Sequence, residues 1–338
     1  MSATGAPRGH AIVIGGSITG LLSARVLADH FQQVTVVERD LLLDAPEPRR
    51  GVPQARHVHV LLRRGLMILE QLFPGFVEEL AEAGAPEVDW TADLVMYTPA
   101  GHAPRFPSGL TTRACSRGLL EHRIRRRVAA HPRVTLLPEH EVSHLLPNGD
   151  RSRIIGVETG YRGEGEGSDR TSGPVQGDLV VDASGRSSRL PDWLGTLGYE
   201  RPQETVVNSF LGYATCEYQF RAGFSPGWKV LFVRSRPPHG TRGGVVFPIE
   251  NGRWLVNLAG AGVEVPPTDP SGFLEFAHSL IHPALYNAIV DAESIGKIGG
   301  YRRTENRFRR YDAMSRRPEG LIVLGDAVCG SIRCTARG

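Results

Sequence analysis

Five residues near the start of the chain have the types and spacing to hold a phosphate and a sugar: Gly15, Gly16, Ser17, Gly20 and Glu38. They lie in HAIVIGGSITGLLSARVLADHFQQVTVVER, residues 10–39. A glycine turn lets backbone approach a pyrophosphate, and the helix behind it presents free N–H groups and a positive dipole end. Glu38 ends the next apolar run, where a carboxylate can accept hydrogen bonds from ribose hydroxyls. Ser17 stands where the second glycine of GxGxxG belongs, and it is small enough to keep that approach open. A purely structural glycine turn is the competing reading. A strand, a helix, a second strand and a terminal glutamate in that order favour a dinucleotide.

The other end of the chain offers Gly320 to Ala327, an apolar run closing on Gly325-Asp326-Ala327. An aspartate placed there, just before an expected helix, can accept hydrogen bonds from a cofactor's sugar-alcohol chain. No side chains have the spacing of a Ser–His–Asp triad, a zinc site or a carboxylate pair. No catalytic residue is therefore named and no metal is expected. His57 and His59 alternate with Val58 and Val60 after a Pro-rich loop, without a carboxylate or cysteine cluster beside them. Cys115, Cys216, Cys329 and Cys334 form no CxxC and no paired framework, so they are expected to stay reduced.

The elements that would position these residues can be read from periodicity. Ala11–Ile14, Val34–Val37, Val134–Leu137, Ile154–Val157 and Leu179–Val181 are short β-rich runs. Leu21, Leu22, Val26 and Leu27 recur at helical spacing, as do Leu119, Leu120, Ile124 and Val128. The arginines of that second helix are expected on a solvated face, with one free to turn toward a phosphate. The stretch GEGEGSDRTSG is expected to be a mobile hairpin tip. Beyond residue 200, Val206–Gln219, Trp228–Arg236 and Thr241–Gly260 predict long strands, followed by a helix over Gly272–Asp291. That is an antiparallel sheet with a covering helix, suited to one wall of a substrate pocket.

Taken together, the N-terminal fingerprint, the strand-turn at 178–189, the intervening sheet and the terminal Gly-Asp-Ala resemble the FAD-dependent aromatic hydroxylase-like monooxygenases. These are the p-hydroxybenzoate hydroxylase-fold group with its squalene-epoxidase relatives. Within that group RRGVPQARHVH (49–59) looks like the actinobacterial polyether epoxidases. The resemblance spans essentially the whole chain and implies an α/β fold. A glutathione reductase-type FAD domain would carry an inserted α+β, antiparallel-sheet substrate domain. The implied division is FAD domain at 1–87, substrate-side strands at 88–112, FAD domain again at 113–198, substrate domain at 199–300 and FAD domain at 301–338.

By the family pattern, Gly15, Gly16, Ser17 and Gly20 would hold the FAD diphosphate and Glu38 the adenosine ribose. Arg39 would flank the adenine side, and Arg117 would reach the cofactor from its helix. Gly325 and Asp326 would face the ribityl chain, and Arg56 and His57 lie in the segment expected nearest the flavin. NADH or NADPH would reduce FAD, and one oxygen of O₂ would go to an electron-rich ring or alkene of a small hydrophobic substrate. Two other readings stay open: a flavin-dependent prenyl reductase and a catalytically silent, truncated flavoprotein. Substrate, nicotinamide and oligomeric state are not legible.

Two departures stand out. Ser184-Gly185 replaces the family's Asp-Gly, and Pro191 replaces a terminal arginine. After Asp326 the chain reads VCGSIRCTARG where the family has Asn/Asp-Pro and Gly-Gln-Gly. A two-base shift of synonymous codons recovers Asp-Pro-Val-Tyr-Gly-Gln-Gly, so residues from about 330 onward are expected to be a frameshift product.

Composition narrows the rest. With 338 residues, 41% hydrophobic and 22% charged, the chain can bury a large core without staples. A net charge of +3 gives no electrostatic case for nucleic acid. No apolar run reaches 18 residues and no leader pattern opens the chain, so a cytoplasmic protein with no integral membrane segment is expected.

Overall fold

The structure, a computed structural model, describes residues 8–163, 172–221, 223–302 and 304–331. Two units account for them: 8–52 with Glu121–Val207 and Asn306–Ser331, and Pro53–Leu120 with Asn208–Glu305. The hairpin tip read over 163–173 and the frameshift reading after 330 fall largely outside the described residues.

The first unit is built on five parallel strands: Leu321–Val323, Leu179–Asp182, Arg8–Ile14, Phe31–Val37 and Val134–Leu137, in that spatial order. Numbered along the chain, this is the Rossmann order 3-2-1-4-5 with its switch between the first strand and the fourth. Buried runs on both faces explain it: Ala11, Ile12, Val13, Val34 and Val36 are fully shielded from water. Behind the first strand, helix Ile18–Leu27 returns the chain to Phe31. On the other side, Ile154–Tyr161 pairs with both His140–Pro147 and Gly173–Gln176. The hairpin therefore closes onto Gly173–Gln176, a strand absent from the periodicity reading, and not onto Leu179–Asp182.

The second unit centres on a seven-stranded sheet, antiparallel except where Val230–Val233 runs parallel to Leu94–Thr98. One face carries Ala214, Cys216, Val256 and Leu258 against Phe273, Phe276 and Leu285 of two helices. The class is thus α/β with a second, mainly antiparallel sheet, as expected.

Three long elements break where the chain has a local reason. Val206–Gln219 splits into Glu204–Val207 and Leu211–Gln219, because Phe210 takes φ 51° and its N–H donates to Asn208 Oδ1 at 2.8 Å. Thr241–Gly260 is a hairpin, Gly243–Pro248 and Arg253–Ala261, turned at Asn251 and Gly252 with φ 62° and 67°. The single helix over 272–291 is two, Pro270–His278 and Ala284–Ile289, since Pro283 cannot continue a helix. Asp269 caps the first of these, accepting from Gly272 N–H at 2.8 Å. No helix among the described residues is long and apolar enough to cross a membrane.

Candidate functional site

At the carboxyl ends of the parallel strands, beside the switch between Arg8–Ile14 and Leu179–Asp182, a cleft is lined by Gly15, Ser17, Glu38, Arg39, Ala183 and Ser184, among others. Open α/β sheets take their ligands at this position.

The glycines have distinct reasons to be there. Gly15 has φ 102°, and a Cβ would stand 2.6 Å from Ala183 O. A Cβ on Gly20 would lie 1.8 Å from Gly15 O, so the turn and the helix can close only without one. A Cβ on Gly16 would meet Glu38 Cβ at 3.0 Å, so this glycine makes room for the carboxylate. Ser17 sits at the N-cap of Ile18–Leu27 but its side chain caps nothing. Its hydroxyl donates instead to Glu121 Oε2 at 2.7 Å. The helix therefore keeps its first N–H groups uncapped, in the condition that accepts an anion.

Glu38 is 6% exposed and both oxygens are engaged. Oε2 accepts from Gly16 N–H at 2.7 Å, and Oε1 accepts from Asp40 N–H at 2.9 Å. Arg49, whose position in RRGVPQARHVH had given no signal of this role, lies within 3.3 Å of Glu38 and of Asp40, and 2.5 Å from Glu121. Burial pushes its pKa down, but Glu121, Glu38 and Asp40 outweigh that and hold the guanidinium above its ordinary value. Three carboxylates hold this one guanidinium beside the turn. Charge at this end of the cleft is therefore set by Arg49, Asp40 and Glu121, three residues that sequence spacing did not single out.

From the other end of the sequence, Gly325–Ala327 forms a 3-10 turn, followed by the short strand Cys329–Gly330 and not, within the described residues, by a helix. This turn is brought onto the glycine-rich segment: a Cβ on Gly325, where φ is 63°, would stand 2.8 Å from Thr19 Oγ1. Asp326 is exposed. Arg309, 3% exposed, fastens the turn, donating to Ala327 O at 2.9 Å, Arg186 O at 3.1 Å and Glu204 Oε1 at 2.8 Å. Asp182, fully buried at the end of its strand, accepts from Ser184 N–H at 2.9 Å and from the Ser188 hydroxyl at 2.5 Å, and so shapes the loop holding Ser184 and Gly185.

Arg39 is exposed and lines the cleft beside Glu38. Arg117 opens helix Arg117–Ala129 and belongs to the second unit, whereas Glu121, one turn on, belongs to the first. Ser116 caps this helix, its Oγ accepting from Leu119 N–H at 3.0 Å. The expected solvated arginine face is only partly so. Arg125 is 7% exposed and donates to Leu43 O, because the loop preceding Arg49 covers it.

The residues present fit a dinucleotide diphosphate: an uncapped helix N-terminus, a turn that only glycine permits, and a carboxylate at the end of the second strand meet at the switch point. Arg56 and His57 lie in the second unit. His57 is 5% exposed, its Nδ1 2.8 Å from Thr215 Oγ1.

No family model matches the chain. Among solved structures it resembles the flavin-dependent brominase Bmp2, with TM-score 0.69 at 15% identity over 95% of this chain and 73% of that one. It also resembles the myxobacterial chondrochloren halogenase CndH, with TM-score 0.67 at 15% identity over 98% and 71%. PqsL, a probable FAD-dependent monooxygenase of Pseudomonas aeruginosa, gives 0.65 at 13% identity over 94% and 79%. At these identities the likeness shows a shared fold. Sequence shows more: Protein Rv3254 of Mycobacterium tuberculosis is 34% identical over 330 residues, 96% of this chain and 68% of that protein. The chain belongs to the family of Protein Rv3254, built on the fold of FAD-dependent halogenases and monooxygenases.

Proposed function

We propose that this chain is an FAD-dependent oxidoreductase acting as a monooxygenase on a small hydrophobic ring, polyketide or isoprenoid. The first unit would be the FAD domain and the second the substrate domain. The observation that carries the reading is the convergence of Gly15–Gly20, Glu38 and Gly325–Asp326 on one edge of a parallel sheet. They come from both ends of the sequence, and Gly325 packs on Thr19.

In this reading the uncapped N-terminus of Ile18–Leu27 takes the diphosphate, and Arg49 exchanges part of its pairing with Glu121 for a phosphate oxygen. Glu38 accepts from the adenosine ribose with its remaining lone pairs. Asp326, exposed on its turn, takes hydroxyls of the ribityl chain, and Arg39 adds positive charge. Bound flavin supplies the redox chemistry, with NADH or NADPH as reductant and O₂ as oxidant.

The halogenase neighbours support a second reading, in which reduced flavin comes from a separate reductase and the chain itself uses no nicotinamide. One experiment tests both. The full chain is purified, its flavin absorbance is recorded, and NAD(P)H oxidation is followed with and without O₂. Yellow protein with oxygen-dependent NAD(P)H consumption is expected. Yellow protein that consumes none supports the second reading. Colourless protein that binds no added FAD rejects both.

A further inference from the structure

Within the second unit, helix Arg63–Leu72 turns one stripe of its surface toward the short strand Thr111–Arg113. Arg63, Leu66, Met67 and Glu70 fall at i, i+3, i+4 and i+7 and so share that stripe. Between them and the strand lies a groove of about 340 Å³, whose lining also includes Val77 and Glu87. All of these residues belong to the segment Pro53–Leu120, and none of them lines the dinucleotide cleft. The apolar part of the lining is aliphatic, from Leu66, Met67 and Val77, and none of its described residues is aromatic.

The charges around this groove are unevenly used. Glu70 is committed to the corner before helix Phe76–Glu82: its Oε1 accepts from Gly75 N–H at 2.7 Å and its Oε2 from Val77 N–H at 2.8 Å. Arg113 is held far less firmly. Its Nη1 reaches Ala85 O at 3.5 Å, and its Nη2 lies 3.9 Å from Glu87 Oε2, beyond hydrogen-bond distance. Its Nε is buried and has no hydrogen-bond partner among the described residues. Arg63 makes long contacts too, Nη1 donating to Thr111 O at 3.3 Å and to Thr111 Oγ1 at 3.4 Å. Glu87, the other carboxylate in the lining, is exposed and well hydrated. A buried N–H on a cation without an acceptor is costly, and a guanidinium fork matches the two oxygens of a carboxylate.

We propose that this groove is a second small-molecule site, one that takes an unbranched aliphatic carboxylate. The carboxylate pairs with Arg113, whose two long contacts give way to Nε–H and Nη–H bonds to its two oxygens. Arg63 adds a second positive charge. The alkyl chain lies along Leu66, Met67 and Val77, and the unbranched thioether of Met67 adapts to it. An aromatic acid would find no ring to stack on. Ligand pockets run from about 300 to about 1,000 Å³, so a groove at the lower end of that range fits an acid of medium chain length. Nothing in this assignment depends on bound flavin.

The test titrates the full chain, labelled with ¹³C at its methionine methyls, with octanoate and with octan-1-ol at pH 7.5. Calorimetry gives the affinities, and the Met67 methyl resonance, assigned through Met67→Leu, gives the place. Octanoate should bind at least tenfold more tightly than octan-1-ol and should move the Met67 methyl. Arg113→Gln should remove that preference. Glu87→Gln, which takes a competing carboxylate off an exposed position, should tighten octanoate at least threefold and serves if Arg113→Gln does not fold. Equal affinities in wild type, a preference that survives Arg113→Gln, an octanoate affinity unchanged in Glu87→Gln, a Met67 methyl that does not move, or no binding of octanoate overturns the proposal. Flavin absorbance read on the same samples keeps the two claims apart. Yellow protein with no preference rejects this site alone, and colourless protein that keeps the preference and binds no added FAD rejects the cofactor reading alone.

Discussion

The Ser17 hydroxyl donates to Glu121 Oε2 at 2.7 Å, joining the glycine-rich turn to a helix more than a hundred residues further on. The same carboxylate holds Arg49 at 2.5 Å. Glu121→Ala should remove the shortest of Arg49's ion pairs while Glu38 and Asp40 stay within 3.3 Å, at a cost of about 2 kcal/mol. In urea denaturation the midpoint should fall with the slope unchanged. Ser17→Ala leaves the ion pair intact and should cost no more than about 1 kcal/mol. Equal losses for the two would show that Glu121 does not carry the network.

Gly20→Ala places a Cβ 1.8 Å from Gly15 O and must move the helix away from the turn. FAD binding, followed by quenching of flavin fluorescence, should weaken at least tenfold, or about 1.4 kcal/mol. Ser17→Gly, which restores a full glycine pattern, should change binding by less than threefold. Unaltered binding in Gly20→Ala would remove the turn from the site.

His57 gives a defined pH dependence. Its folded pKa of about 4 lies below the unfolded value of 6.5. Between those values the unfolded chain binds a proton that the folded chain refuses, so stability is complete above pH 6.5 and falls as pH drops toward 4. The full effect is on the order of 3 kcal/mol. Urea midpoints for wild type and His57→Gln at pH 7.5, 6.0 and 4.5 check it, since the variant's slope with pH should be flatter by that amount. Parallel slopes would mean the ring is not held neutral by the fold.

Thiol chemistry should separate the described cysteines. Burial, with Glu250 nearby, raises the Cys115 thiol to about 12, and burial raises Cys216 to about 11, whereas Cys329 is exposed. In a Cys334→Ser background, Ellman's reagent should label Cys329 within minutes, and Cys115 and Cys216 only in denaturant. Rapid native labelling of three thiols would contradict that burial.

Much of the first unit could be read from local pattern. Val134–Leu137 is a strand over the same four residues that the β-rich run marks, and the turn at Gly15–Gly20 leads from strand to helix as its spacing requires. What escaped depends on partners distant in sequence. Arg49 is defined by Glu121 and Glu38, so nothing around it in RRGVPQ marks it as buried. Arg125 looks like a surface residue by helical period and is covered by the loop at Leu43. Some breaks did have signals: Asn251-Gly252 is a hairpin dipeptide, and Pro283 interrupts its helical stretch. The split at Phe210 had a weaker one, since it depends on a bulky residue adopting positive φ.

Strand Leu321–Val323 is the only partner of Leu179–Asp182 on that side of the parallel sheet, yet roughly 140 residues separate them. At about 5–20 residues per second, the ribosome takes on the order of ten seconds to deliver it. Throughout that interval Leu179–Asp182 presents an open row of backbone donors and acceptors. The antiparallel sheet of the second unit emerges in the meantime, with strands able to pair with that edge. Faithful biosynthesis therefore depends on what shields this edge, and slowing translation between residues 183 and 320 should raise the insoluble fraction of an otherwise unaltered chain.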